Sequence, residues 1–386
     1  MVAESDNEAG RQWAALAGVT AALAMFGAAQ GLSYLLFTLL MQRQGLSPTL
    51  IGLSAAMMPV GLLLSASLVP VAVRLFGARN LGVGCALAGA LCFFAIGALQ
   101  NWVAWFPLRF LIGVIINPLY VLGEVWALSL APPSRRGRVM GVFNALMGAG
   151  YAAGPLVLIT VGTAGWPPFI AAISGFVLCA LILCAVSAKL TGFEDDGQSF
   201  GGVVDFARLA PVLLLAVLVS AAVQQSSYAL IPVFGSAYGL PEAKLAALVT
   251  ARSLGNIFLQ IPLGLAAERF GGRAMIIVCA VVTAICAVSL PVLITTPFAW
   301  PMLLVMGAVG YGVYTMALIE LGSRFGGTTL LAGNAAFALM WGLGGIVGPP
   351  GAGALMQAIG PLGLPAVIIG LVTLLVAFAF YRSRLR

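Results

Sequence analysis

AAQGLSYLLF (residues 28–37) and AVQQSSYALI (residues 222–231) stand 194 positions apart, and this pair decides the architecture. Gln30, Ser33 and Tyr34 fall on Gln224, Ser227 and Tyr228. The same offset brings Gly45-Leu46 onto Gly239-Leu240, Phe76-Gly77-Ala78-Arg79 onto Phe270-Gly271-Gly272-Arg273, and Cys85 onto Cys279. It continues through Gly113 and Gly307, Tyr120 and Tyr314, Phe143 and Phe337, Gly148 and Gly342, and Gly154-Pro155 and Gly348-Pro349. Chance supplies matched Gly and Ala in a chain rich in both. It does not supply Gln, Tyr, Cys, Phe and Pro at one constant offset, so the chain is one unit used twice.

Composition says what that unit is made of. Hydrophobic residues make up 62% of the chain and charged residues 8%, against about 45–50% and 25% in soluble globular proteins. Such a surface needs lipid as its solvent, and in lipid every backbone polar group must be satisfied within a helix or a closed barrel. The apolar runs are continuous and do not alternate, which excludes the barrel. A spanning helix takes about 20 apolar residues. Breaks at Gly, Pro and charge predict twelve spans, at 13–41, 47–73, 79–99, 102–130, 136–163, 167–188, 209–235, 241–267, 273–294, 298–322, 328–355 and 361–381. The expectation is an all-α membrane protein of two six-helix pseudo-repeats, 13–188 and 209–381. A polar N-terminal tail (1–12), a linker (189–208) carrying Glu194, Asp195, Asp196 and Asp205, and a basic tail (382–386) complete it.

The cations give the orientation. With the N-terminus in the cytoplasm, that side carries fourteen Lys and Arg, among them Arg74, Arg79, Arg135, Arg136, Arg138, Lys189, Arg269, Arg273 and Arg324. The other side carries only Arg43 and Lys244, while Arg109 and Arg252 fall inside spans. The positive-inside rule therefore places both termini in the cytoplasm, and a bacterial inner membrane is the expected location. The net charge of +7 is thereby accounted for by topology, which leaves no basis for nucleic-acid binding. Residues 1–12 lack the short apolar core and cleavage site of a signal peptide. All six cysteines fall within spans without zinc-ligand spacing, and the chain has no His, so no metal site is expected.

The loops between the second and third spans of each copy carry a further pattern. The second copy reads Gly264-Leu-Ala-Ala-Glu268-Arg269-Phe270-Gly271-Gly272-Arg273; the first reads Pro70-Val-Ala-Val-Arg74-Leu75-Phe76-Gly77-Ala78-Arg79. With the twelve spans and the repeat, this resembles the major facilitator superfamily, whose loop there is G-x-x-x-D-R-x-G-R. The resemblance implies a gating loop at Arg74, Arg79, Glu268, Arg269 and Arg273, with Arg74 standing where the family has an acid. Topological anchoring explains the same arginines. Arg109-x-x-x-Gly113 resembles another superfamily motif. Gly141-x8-Gly150-x3-Gly154-Pro155, partly copied at Gly344-x3-Gly348-Pro349, resembles the antiporter motif of drug:proton antiporters without its trailing glycines; small residues at that spacing also serve ordinary packing. Glu124-Val-Trp126, Arg136-Gly-Arg138-Val139 and Gln260-Ile-Pro262-Leu-Gly264 resemble the YcaD-like branch, which defines fold and not cargo.

Charges inside the membrane are expensive and point to function. In the fourth span, Arg109, Gly113, Asn117, Tyr120 and Glu124 lie within about 80° of one another at a helical period. They form a polar stripe about 22 Å long, which must face the interior. Glu124, alternating between water and a low-dielectric interior, is the proton-coupling candidate together with Arg109; the alternative is a structural ion pair with a neighbouring helix. Arg252 shares a face with Asn256 and Gln260, and its repeat partner is Met58. Its planar fork suits a carboxylate or phosphate, unless it pairs with Glu124. Glu320 and Arg324 read as an interfacial i,i+4 pair. Gln30, Ser33 and Tyr34 with Gln224, Ser227 and Tyr228 flank the repeat axis, where such transporters hold cargo. Asn144, Tyr120, Trp126, Tyr151, Tyr311, Tyr314 and Trp341 are candidates to line the same path.

A secondary transporter follows as the expectation, moving a small organic solute by alternating access. The proton gradient replaces any cofactor, because no phosphate-binding loop of the G-x-x-x-x-G-K-[ST] type is present. Arg252 favours an organic anion, while the antiporter motif and apolar spans favour efflux of amphipathic compounds. A membrane enzyme lacks a nucleophile–base pair; a receptor or scaffold remains the third class. The partners expected are the solute and the bilayer, with a monomeric chain.

Overall fold

The computed structural model describes residues 2–132, 136–186 and 200–384. Arg135, Lys189, Glu194, Asp195, Asp196 and Arg386, all used above for topology or as linker charges, lie outside the described residues. The helices are α1 (Val2–Arg43), α2 (Pro48–Ser65), a 3-10 turn (Ala66–Leu68), α3 (Val69–Phe76), α4 (Ala78–Ala98), α5 (Trp102–Leu130), α6 (Arg136–Val161) and α7 (Pro167–Val186). They continue as α8 (Phe200–Leu209), α9 (Pro211–Ala237), α10 (Glu242–Phe258), α11 (Gln260–Phe270), α12 (Gly272–Leu293), α13 (Ala299–Arg324), α14 (Gly327–Ile359) and α15 (Gly363–Arg384). Eleven spans among the described residues are long and apolar enough to cross a membrane, and the pair α10 and α11 makes the twelfth.

Two departures from the expected spans have local causes. The eighth span is bent by 43° between Phe258 and Gln260, and the second span breaks into the 3-10 turn at Ala66–Leu68. Ser65 and Leu259 are repeat partners, so the same position breaks in both copies. Helix α1 begins at Val2, well before residue 13, because VAESDNEA holds no Pro or Gly to stop it. Part of the stretch expected as linker forms α8, whose Phe206 is buried against Phe325 and Phe337 with ring centroids 5.4 and 6.4 Å away.

The tight turns joining α3 to α4 and α11 to α12 explain one element of the repeated loop. Gly77 (φ 76°) and Gly271 (φ 84°) cap the preceding helices, donating their N–H groups to the carbonyls of Val73 and Ala267. That left-handed backbone penalises any side chain and accepts glycine.

The described chain forms two compact units. One comprises residues within Met1–Leu36 and Val60–Asp195, the other residues within Phe37–Pro59 and Asp196–Arg386. In the first, Phe26 packs edge-on against Tyr120 and Phe176 at 5.0 and 5.8 Å, and Phe93 joins Phe176 at 5.4 Å. Glycines let backbones touch where α1 crosses α6: a Cβ on Gly31 would strike the Tyr151 carbonyl, and one on Gly150 the Ala24 carbonyl. In the second unit α9 is the enclosed element, and Gly344 and Gly348 of α14 meet its backbone at Leu218 and Ala222. The glycine motif therefore has a packing role in both copies.

The second unit also gathers the far end of α1 and the start of α2. Arg43 grips Glu242 through both guanidinium and carboxylate edges, at 2.6 to 3.0 Å. Thr49 donates to Gln357 at 2.5 Å, Thr38 to the Ala229 carbonyl at 3.1 Å, and Gly52 lies against the Pro349 carbonyl.

Candidate functional site

Each unit builds its own polar interior, and each begins from the tyrosine of the repeated first helix. In the first unit the α5 stripe passes from buried to open along its length. Arg109, Gly113 and Asn117 are buried, Tyr120 is half-buried and Glu124 is exposed. The Arg109 guanidinium interacts electrostatically with the Tyr34 phenol across from α1. Tyr120 shares a hydrogen bond with the Tyr151 hydroxyl of α6. The Tyr120–Tyr151 pair thus stands between Arg109 and Glu124 along the stripe, and Glu124 has no ion-pair partner within its unit among the described residues.

Asn117 lies on the same stripe but serves the scaffold. Its amide donates to the Leu62 carbonyl at 3.2 Å and to the Ser65 hydroxyl at 3.1 Å, where α2 gives way to the 3-10 turn. Gln30 is fully buried, accepts from the Ser33 hydroxyl at 3.3 Å, and leaves its own Nε2 without a partner. Asn144 is exposed on α6, away from this group's hydrogen bonds.

The second unit holds the clearer constellation. Arg252 is 1% exposed and stands about two turns before the α10–α11 break. One terminal nitrogen donates to the Gln224 Oε1 of α9, and the guanidinium lies over the Tyr228 ring, 4.4 Å from its centroid. Tyr228 in turn meets the Ser253 hydroxyl at 3.3 Å, while the Gln224 amide faces the Gly307 carbonyl at 3.4 Å. Neither partner of Arg252 is an anion. Its Nε has no partner at all, which for a buried charged donor is the expensive arrangement. Ser227 turns back onto the Val223 carbonyl at 2.6 Å and so stands apart from the arginine.

Asn256 and Gln260 form a separate network at the break. Gln260 donates to Asn256 Oδ1 and to the Ala308 carbonyl, each at 3.1 Å, and accepts from Thr315 at 2.9 Å. These bonds tie the start of α11 to α13, while the backbone bonds of Leu259 to Gly255 and of Leu263 to Leu259 run across the break. Half-buried Tyr311, Tyr314 and Trp341 close an aromatic cluster, with centroids 5.0 to 5.7 Å apart.

The loop residues are peripheral. Arg74, Arg79, Glu268 and Arg269 are exposed, and Arg269 lies over Phe270 at 5.5 Å. Glu320 and Arg324 form the i,i+4 pair at 3.3 Å.

Tyr34 and Tyr228 are repeat partners, and each faces a buried arginine. The arginines come from different helices, Arg109 from the fourth span and Arg252 from the eighth, so sliding the sequence onto itself does not expose the match. The Arg43–Glu242 pair is a further contact that the sequence did not reveal, although a base at the end of α1 and an acid at the start of α10 were a usable signal.

Comparison with known proteins fits this arrangement. The family model of the Major Facilitator Superfamily matches residues 18–246 and 213–386, and the chain belongs to that superfamily, a family of membrane transporters and not of enzymes. It is 24% identical over 339 residues to the MFS-type transporter YfkF of Bacillus subtilis, covering 86% of each chain. It is 26% identical over 280 residues to YcaD of Shigella flexneri serotype 5b, covering 71% of this chain and 69% of that one. Among solved structures, a bacterial homolog of the human lysosomal transporter Spinster superposes with a TM-score of 0.77 at 14% identity, covering 96% of both chains. The nucleoside transporter NupG gives 0.74 at 13% identity, covering 96% and 98%. Those two likenesses bear on the fold alone.

Proposed function

We propose that this protein is a proton-coupled secondary transporter of a small organic anion, working by alternating access in a bacterial cytoplasmic membrane with both termini inside. One observation carries the reading of the cargo: Arg252 is a buried guanidinium whose partners, Gln224 and Tyr228, leave its charge uncompensated and its Nε unbonded. A carboxylate or phosphate offers two acceptors in the plane of that fork and supplies the missing charge. Gln224 and Tyr228 hold the guanidinium in place from α9, the innermost helix of its unit. Proton coupling falls to Glu124, the exposed end of the α5 stripe that begins at buried Arg109.

Uptake of a panel of radiolabelled organic anions into proteoliposomes tests the assignment. Wild type should move at least one anion, and Arg252→Gln should lose that uptake while folding normally; undiminished uptake by Arg252→Gln refutes it. Glu124→Gln should retain exchange of the same anion but lose accumulation driven by a pH gradient. Equal accumulation by both proteins removes Glu124 from the coupling step.

The aromatic cluster of Tyr311, Tyr314 and Trp341 favours a second reading, efflux of amphipathic compounds. Cells lacking the transporter would then accumulate lipophilic dyes, an outcome the anion reading does not give.

A further inference from the structure

Helices α12 and α15 run side by side in the second unit, and the groove between them changes character along its length. Over Val281, Ile285, Val288, Val372 and Val376 it is a largely apolar trough of about 540 Å³. Ser289, one of two hydroxyl residues in it, donates to its own Ile285 carbonyl at 2.7 Å. Toward the ends of the same two helices lies a second, smaller recess of about 40 Å³, lined by Ile276, Ile277, Ala379, Arg273, Arg324, Arg382 and Glu320. The apolar and basic parts are consecutive turns of the same two helices: residues 276 to 289 rise about 20 Å.

The charges in the recess do not cancel. Glu320 is engaged by Arg324 at 3.3 Å, while Arg273 and Arg382 have no ion-pair partner among the described residues. The first turn of α9 also lines the recess. That helix starts with Pro211 and has no side-chain cap; its Leu213 and Leu214 amides already bond the Ala210 carbonyl, so what it adds to the recess is the positive end of its dipole. Arg273 itself is the second residue of α12, a further helix N-terminus at the same spot. The feature is not a product of the repeat. The positions equivalent to Glu320, Arg324 and Arg382 in the first copy are Trp126, Leu130 and Ala188, and only Arg79 matches Arg273.

We propose that this groove is a binding site for an anionic phospholipid, with the phosphate of its head group held by Arg273 and Arg382 and an acyl chain lying along the α12–α15 trough. Two free guanidiniums beside helix N-termini recognise a phosphate. The apolar trough beginning one turn away distinguishes a phospholipid from a soluble phosphate. The site lies within the second unit and is independent of the cargo assigned to Arg252.

Thermal unfolding of the detergent-purified full chain, titrated with short-chain phosphatidylglycerol, phosphatidylcholine or glycerol phosphate, tests it. Phosphatidylglycerol should raise the Tm in a saturable manner, and the other two should not. Arg273→Gln and Arg382→Gln should each weaken the apparent affinity for phosphatidylglycerol about five-fold. Arg74→Gln, a charge removed from the first copy's loop, should leave it unchanged. Ala377→Trp, which fills the trough and leaves every charge in place, should abolish the response. The proposal is overturned if phosphatidylcholine stabilises as well as phosphatidylglycerol or if glycerol phosphate alone suffices. It is equally overturned if the response survives Arg382→Gln or Ala377→Trp undiminished.

Discussion

Replacing Gly307 by Ala should destabilise the protein although it adds one methyl group to a helix. A Cβ built there lies 2.8 Å from the Arg252 carbonyl carbon and 3.0 Å from Arg252 Cγ, and strikes the carbonyl oxygen. The obstacle is backbone, so no rotamer change relieves it. The reciprocal contact, Gly255 against the Leu304 carbonyl, holds the same α10–α13 crossing. Overpacking of this kind costs about 1–3 kcal/mol, and at about 2–4 °C per kcal/mol for a unit of this size the Tm should fall by about 2–12 °C. Gly84→Ala and Gly370→Ala are the controls, since nothing stands within 4 Å of a Cβ at either. Both should be neutral or stabilising, as Ala exceeds Gly in a helix by about 0.5–1 kcal/mol. Thermal unfolding followed by size-exclusion chromatography reads all three. The reasoning fails if Gly307→Ala unfolds at or above the temperature of the two controls.

Trp105→Ala should cost about 3–5 kcal/mol, because the ring is fully buried and its Nε1 donates to the Leu99 carbonyl at 2.7 Å; a Tm within a degree of wild type would contradict this. A double-mutant cycle on Arg43→Ala and Glu242→Ala should give a coupling below about 1 kcal/mol that shrinks in high salt. The side chains are 39% and 38% exposed, so water screens even that bidentate geometry, and a salt-independent coupling would show the pair to be far better shielded. Arg252→Met should unfold no lower than wild type, since it removes an uncompensated buried charge, yet it should be inactive in uptake. A large loss of stability would make the arginine structural.

The scaffold was legible because lipid leaves few options: continuous apolar runs become helices, and the charges fall in loops. Gly77 and Gly271 recur at the repeat offset because the turns there need a backbone that only glycine accepts cheaply. The break at Leu259 does have a signal in IFLQIPLG, because Pro262 has no N–H for the Phe258 carbonyl one turn earlier and its ring crowds it; the bonds that Gln260 makes to Ala308 and Thr315 on another helix were not legible. The site divided along similar lines. Glu124 and Arg252 could be singled out by type and depth, since charge within a span is rare. Their partners could not: Tyr34 meets Arg109 from one helix pairing and Tyr228 meets Arg252 from another. Asn117 shows the converse, a residue on the functional stripe whose hydrogen bonds go to Leu62 and Ser65.

Calorimetric titration of the transported anion into purified wild type, Arg252→Lys and Arg252→Gln tests the central claim most directly. Wild type should bind at a single site. Arg252→Lys should bind more weakly because a point charge replaces a planar fork, and Arg252→Gln should show no heat of binding. Binding by Arg252→Gln with the wild-type affinity would contradict the account and move the anion elsewhere in the protein.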